Sequence, residues 1–290
     1  MSDSLDGLRR KLNGAEQLGS VVRAMKAISA SSIVQYEKAI NALGQYQRSV
    51  ELGLSLCLAD GKPLVTDTAP VRDSPTGALI FGSDQGLVGR FNEVVGDFAV
   101  EFLRKLPGPK TVWTVGERVC PPLEAAGLTV RKRFVVPSSV AAITALVTEI
   151  QIEIEGYTAG ERHSEIHVFH NSPRTAARYG VASQRLLPLD AAWHKRIREI
   201  SWPNTQLAQV LGDRTTSLTA LVHEDLFISL YRACAESLAS ENASRLEAMQ
   251  RAEENIGRVS DVLRRSVNRL RQSSIDEELF DVVAGFNALT

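Results

Sequence analysis

All eleven prolines of this chain lie between Pro63 and Pro203; the first 62 residues contain none, and neither do the last 87. Proline removes a backbone donor and clashes with the preceding helical turn, at a cost of roughly 3 kcal/mol inside a helix. Two long proline-free ends around a proline-bearing middle therefore predict two long helices that carry a separate folded domain between them. The expected division is a helix over 1–62, an α/β domain over 63–203 and a second helix over 204–290.

Periodicity supports the two ends. Leu5, Leu8, Leu12, Ala15, Leu18, Val22 and Met25 advance by three or four residues. Tyr36, Ile40, Leu43, Gln47, Val50, Leu54 and Cys57 continue in alternating steps of four and three, a heptad seam with one polar interruption. At the other end, Met249, Ala252, Ile256, Val259, Leu263, Ser266 and Leu270 form one seam. Ile275, Leu279, Val282, Phe286 and Leu289 form another, offset by a five-residue step that predicts a local change of supercoil. A helix over residues 213–287 would extend about 110 Å. A compact globule of this chain length has a radius of gyration near ~19 Å, so such a helix would have to project and would need a partner for its seam. The N-terminal helix is the nearest candidate, which predicts an antiparallel coiled coil. A helical bundle broken at Gly53, Gly212 or Gly257 is the plainer alternative.

The middle reads differently. Gly77–Gly82, Thr111–Val115, Leu128–Val136 and Glu165–His170 read as strands. Asn92 to Leu106, Glu117–Ala126 and Ser138–Glu155 read as helices between them. This alternation predicts a Rossmann-like α/β domain with a mostly parallel sheet. Lys62 to Pro75, with three prolines, reads as the linker into it.

Composition narrows the function. The formal net charge is −1, so bulk electrostatics do not imply a nucleic-acid partner. Cys57, Cys120 and Cys234 are scattered and read as reduced, apolar residues of a cytosolic protein. No signal peptide is evident, and no stretch approaches the ~20 apolar residues of a membrane-spanning helix. The turn Gly82-Ser83-Asp84-Gln85-Gly86-Leu87-Val88-Gly89 follows the first strand and opens a helix, where nucleotide-binding folds place a phosphate loop. Its spacing fits neither GxGxxG nor GxxxxGK[ST], so it reads first as a packing turn. His163, His167 and His170 tempt a metal assignment, but residues 167 and 170 point to opposite faces of a strand; no metal or other cofactor is expected. Arg264, Arg265, Arg269 and Arg271 form a basic band that reads as a solvated coiled-coil flank, or as a positive collar for a ring-like partner with acidic loops.

Several of these stretches together resemble the γ subunit of F-type ATP synthases. Arg23-Ala24-Met25 matches the family's basic–Ala–Met step. Ser83-Asp84-Gln85-Gly86-Leu87-Val88-Gly89 is similar to its (S/T)DRGLCG turn. Ala239-Ser240-Glu241-Asn242-Ala243-Ser244-Arg245, followed by Met249, resembles ASExxAR…M. Asn268, Arg271-Gln272, Ile275, Glu278-Leu279 and Gly285 match NxxRQxxIxxEL…G. Departures occur at Gln85, Val88, Arg90 and Asp276, and the lysine of the family's MVAxxK is lost. They suit a divergent branch, the alternate Na⁺-linked F-type ATPases being one candidate.

The resemblance implies a rotor shaft: terminal helices coiled inside an α3β3 ring, with the α/β domain against ε and the membrane c-ring. It implies no catalytic residues and no cofactor of the chain's own, since the family binds nucleotide in α and β. Met25 would face a lever loop of β. Arg245 and Gln272 would meet catch loops of the ring, with Asp276 in the same set. The expected location is peripheral, on the cytoplasmic face of a bacterial or archaeal plasma membrane, without membrane insertion. The competing readings are a nucleotide-binding enzyme that uses Gly82–Gly89 and a coiled-coil scaffold unrelated to ATPases.

Overall fold

The proline-free ends are helical. In the computed structural model, which describes residues 4–59, 74–160, 164–174, 179–203 and 208–289, helix α1 spans Leu5–Leu58 and helix α6 spans Arg214–Leu289. Asp213 starts α6: its Oδ2 accepts the Thr216 backbone N–H at 2.7 Å and the Thr216 hydroxyl at 2.6 Å. That satisfies donors the first helical turn leaves orphaned. The preceding Gly212 takes φ +88, a left-handed conformation that favours glycine.

By contact the chain forms two units, one made of its two ends (up to Ala30 and from Arg245), the other of Ser31–Ser244. Both long helices contribute to each. In the unit of the ends, Lys26 Nζ lies 2.6 Å from Glu253 and Arg264 lies 2.9 Å from Glu16. One number rises as the other falls, so the helices are antiparallel. Such partly exposed pairs contribute at most about 1 kcal/mol each; apolar burial at Leu8, Met249 and Val267 carries more.

The seam is not the expected one throughout. Leu18 is 61% exposed and Val259 52%, while their neighbours Gly19 and Ser260 are buried. A Cβ on Gly19 would lie 3.5 Å from Ile256, so small residues take the inner positions where the helices approach. The register that pairs Glu16 with Arg264 runs out of α1 near residue 275. Ile275, Leu279 and Val282 are accordingly exposed rather than seamed; the side chains of Phe286 and Leu289 lie outside the described residues.

The other unit holds a five-stranded sheet in the order β3-β2-β1-β4-β5. Its elements are β1 (Thr76–Phe81), α2 (Phe91–Arg104), β2 (Lys110–Val115), α3 (Cys120–Ala125), β3 (Val130–Phe134), α4 (Val140–Gly160), β4 (Glu165–Pro173), β5 (Tyr179–Leu187) and α5 (Ala191–Arg198). The pairs β1–β2, β1–β4 and β2–β3 are parallel; β4–β5 is antiparallel. Strand β1 is central and buried at all six positions, as a strand covered on both faces must be. Its side chains alternate between two cores. Ala78 and Ile80 join Val95 and Ala99 of α2 and Leu123 of α3. Leu79 and Phe81 join Ile143, Val147 and Ile150 of α4, Tyr36 of α1, and Leu230, Ala235 and Leu238 of α6. The inner halves of α1 and α6 are thus part of the α/β core. Most of the expected linker, residues 62–73, lies outside the described residues.

Strand β5 and helix α5 were not expected. The middle of β5 is Ser183-Gln184-Arg185, all exposed, which hides the strand in a polar run. Helix α5 lies over a third core made by Val50, Leu54 and Leu58 of α1, Ile197 of α5, and Leu218 and Ile228 of α6. At its edge Asp225 is 7% exposed and accepts the Trp193 indole N–H at 3.1 Å. Burial pushes the Asp225 carboxyl above its usual range, although Trp193 and the charge of Arg196 pull it down. A raised folded-state value means the native form binds the extra proton, so stability falls as pH rises through that value. Asp225→Asn keeps the hydrogen-bond acceptor and removes the charge. The variant is expected to melt above the parent at pH 7, with the gap closing as pH falls towards ~4, the ordinary aspartate value. Melting curves across that range check this; a parent–variant gap that does not shrink with acid contradicts it.

Candidate functional site

The glycine-rich turn after β1 is a joint tied to neighbouring chain through Gly82, Ser83, Asp84 and Val88. The Gly82 N–H extends the β1–β2 ladder to the Val115 carbonyl at 2.7 Å. Ser83 and Asn92 bond reciprocally: the Ser83 N–H donates to Asn92 Oδ1 and Asn92 Nδ2 donates to Ser83 Oγ, both at 2.9 Å. The Ser83 carbonyl accepts the Arg118 N–H at 2.9 Å. This last contact needs Gly116, which sits at φ +92 and whose Cβ would meet the Ser83 backbone at 2.7 Å.

Asp84 ties three strand ends. Its Oδ1 accepts the Glu117 N–H at 3.0 Å, just past β2, and its Oδ2 accepts the Val136 N–H at 2.8 Å, just past β3. In open α/β sheets, ligands bind outside these carboxyl ends of the strands. Here two of the amides at those strand ends, Glu117 and Val136, face the chain's own carboxylate. These bonds support the packing reading of the turn.

Helix α6 is bolted to this joint. Glu236, Ser240 and Ser244 recur every four residues and therefore share one face. Glu236 Oε2 lies 3.0 Å from His170 Nε2 on β4. The Ser240 hydroxyl donates to the Asn171 carbonyl at 3.0 Å. The Ser244 hydroxyl donates to the Val88 carbonyl in the turn and lies 3.4 Å from the Tyr179 hydroxyl. Asn171 in turn donates from Nδ2 to the Phe91 carbonyl at 3.0 Å, and Phe91 stacks edge-on against Tyr179. Burial raises the Glu236 carboxyl, but bonds from His170 and Ser172 with the charges of His170 and Arg232 bring it net below its usual range. It is the ionised form that holds this rung.

His167 and His170 do lie on opposite faces: His167 meets Glu165 at 3.1 Å and the ring of Phe102, whereas His170 meets α6. His163 lies outside the described residues. Among the described residues no three His, Cys, Asp or Glu side chains gather as a metal site.

The four expected contact residues do not form one site. Met25 is half-buried on α1, and Arg245 is 9% exposed on α6 at the first residue of the unit of the ends. Gln272 and Asp276 are exposed one turn apart, about 40 Å along α6 from Arg245 at 1.5 Å per residue. What the sequence reading missed is Asp84 as a tie, Asn92 as its companion and the Glu236–Ser240–Ser244 face. The signal for that face was the four-residue spacing of serines inside Ala239–Arg245.

Asp84→Asn would set an amide donor against a backbone N–H. It is expected to cost about 1–3 kcal/mol, more than the roughly 1 kcal/mol of Ser244→Ala, where Val88 keeps its bond from Phe91. Urea midpoints at constant slope measure both; equal or negligible losses contradict the joint.

Comparisons with known proteins agree with this arrangement. A family model described as ATP synthase matches residues 4–289. The ATP synthase gamma chain of Rhizobium johnstonii is 28% identical, with 99% of each chain covered, and that of Streptococcus uberis is 24% identical over the whole of both. Two solved structures share the fold. The rotor of the Euglena gracilis mitochondrial ATP synthase gives a TM-score of 0.64 at 16% identity, covering 93% of this chain and 98% of that one. The Tetrahymena thermophila mitochondrial ATP synthase central stalk and c-ring gives 0.57 at 20% identity, covering 80% and 99%. Among the described residues no helix is long and apolar enough to cross a membrane. A chain matched end to end, with the family-like turn at 83–89 and the family-like stretch at 239–245 meeting where α6 sits on that turn, belongs to the ATP synthase gamma-chain family, whose members are the central rotor subunits of the F-type enzyme.

Proposed function

We propose that this chain couples ion flow through a membrane sector to ATP synthesis or hydrolysis in an α3β3 ring, as a shaft that carries no chemistry of its own. The observation that carries this reading is the bolted joint. Torque applied to α6 reaches the sheet only if helix and sheet cannot slip, and the Glu236, Ser240 and Ser244 contacts oppose slip along one helix face. The transfer of energy is a coupling between the angle of the shaft and the nucleotide affinity of the ring.

In this reading the proline-free ends, within 1–62 and 204–290, enter the ring, and the α/β domain of 63–203 faces ε and the c-ring. Met25, Arg245, Gln272 and Asp276 are the ring contacts, at successive heights along the helices. The complex sits on the cytoplasmic face of a prokaryotic plasma membrane. The exposure of Ile275, Leu279, Phe280, Val282 and Val283, each at least 50%, supports a covering partner, because soluble surfaces rarely leave such a stripe wet.

A tagged chain produced in its native host is expected to bring down α- and β-like subunits. Phe280→Asp is expected to lower that recovery while the melting of the α/β unit is unchanged. Recovery of neither subunit with the unaltered chain contradicts the proposal.

A further inference from the structure

Helix α5 closes a circuit of polar contacts around the feet of both long helices. Arg196 Nη1 of α5 donates to Glu51 Oε1 of α1 at 2.6 Å. Glu51 also accepts from Gln47 Nε2 at 2.9 Å. Gln47 Oε1 accepts from Arg232 Nη2 of α6. Asp225 of α6 accepts from Trp193 Nε1 of α5 at 3.1 Å, which returns the circuit to its start. Asp190 anchors the helix itself, capping the Trp193 N–H at 2.7 Å and binding Arg185 of β5.

The surroundings make this circuit expensive. It lies on the apolar core of Leu54, Leu58, Ile197 and Ile228, and the Glu51 side chain is only 16% exposed. Charged groups in such a place add little net stability, and apolar residues of equal volume often do better. What polar partners supply is direction: each contact holds at only one register of α1 against α6. Apolar packing alone tolerates a small slide, and here a Cβ on Gly53 would sit 3.1 Å from Leu221, so the two helices already run close.

We infer that Arg196 and Trp193 are positioning residues for torque coupling: through Glu51 and Asp225 they fix α1 against α6 at the feet of both helices, near the end of α1 and the start of α6 inside the sheet-bearing unit. The inference rests on the rotor reading and adds a part to it. The strap is a second tie, separate from the Ser240 and Ser244 seat. That seat holds α6 to the sheet, whereas the strap holds the two helices to each other.

The test uses the assembled complex with its ring immobilised and a probe on the α/β unit, and it records the spread of probe angles in the stalled state. Arg196→Glu is expected to widen that spread about twofold, because one of the two polar ties to α5 is lost and local opening becomes easier. The exchange of charges in Arg196→Glu with Glu51→Arg is expected to narrow it again. A general loss of stability would not be reversed in this way. An assembled Arg196→Glu complex with the parent's spread overturns the strap and leaves the rotor reading intact. If Arg196→Glu alone fails to fold, the charge-exchanged chain decides: the parent's spread supports the strap and a wide spread overturns it. Failure of the unaltered chain to assemble with a ring counts against the rotor reading itself.

Discussion

Everything in the sheet-bearing unit depends on how closely helix α6 can lie on the sheet. A helix carrying large side chains on that face would stand off, and no hydroxyl would reach a strand carbonyl. Here Ala233, Ser237, Ser240 and Ser244 are buried, and Ser240 and Ser244 reach the carbonyls of Asn171 and Val88. The small residues lose apolar burial that leucine would supply, of order 1.5–3 kcal/mol per side chain. They gain a helix that is hydrogen-bonded to the sheet as well as packed on it. That exchange makes little sense for stability alone and good sense for a part that must not slip.

The glycine-rich turn answers the same constraint from the sheet's side. Its Val88 carbonyl receives Ser244, so the turn must itself be immobile. Asp84 holds it to the ends of β2 and β3, the Ser83–Asn92 pair holds it to α2, and Gly116 lets the neighbouring loop approach. The family's signature turn and its signature helix stretch are therefore two halves of one contact, although more than 150 residues separate Val88 from Ser244.

The outline of this arrangement was legible in the sequence, and for a physical reason. Proline and helical periodicity are local properties, so the absence of one and the presence of the other place α1 to within a few residues and α6 with a start ten residues later than the expected 204. The buried run Ala78–Phe81 announces a central strand in the same way. The contacts of the joint were not legible, because a serine that bonds a distant carbonyl looks like any small residue. Strand β5 was hidden because an edge strand can be polar at Ser183, Gln184 and Arg185. Leu18 and Val259 were misplaced for a related reason: periodicity favours the largest apolar residue nearby, whereas close helix packing favours Gly19 and Ser260. Parity along β4 did place His167 and His170 on opposite faces, since alternation is a property of any strand.

The claim at the centre is that residues 236–244 of α6 and the strands beneath them open and close as one body. Native-state hydrogen exchange of the isolated chain measures this directly, since amides in one cooperative unit share one opening free energy. The account requires the amides of Glu236 to Ser244 to exchange with the same free energy and denaturant dependence as those of β1 and β4, with the Phe91 amide, which bonds the turn's Val88 carbonyl from the start of α2, in the same group. Exchange of that helical segment at a distinctly lower free energy than the sheet would contradict it.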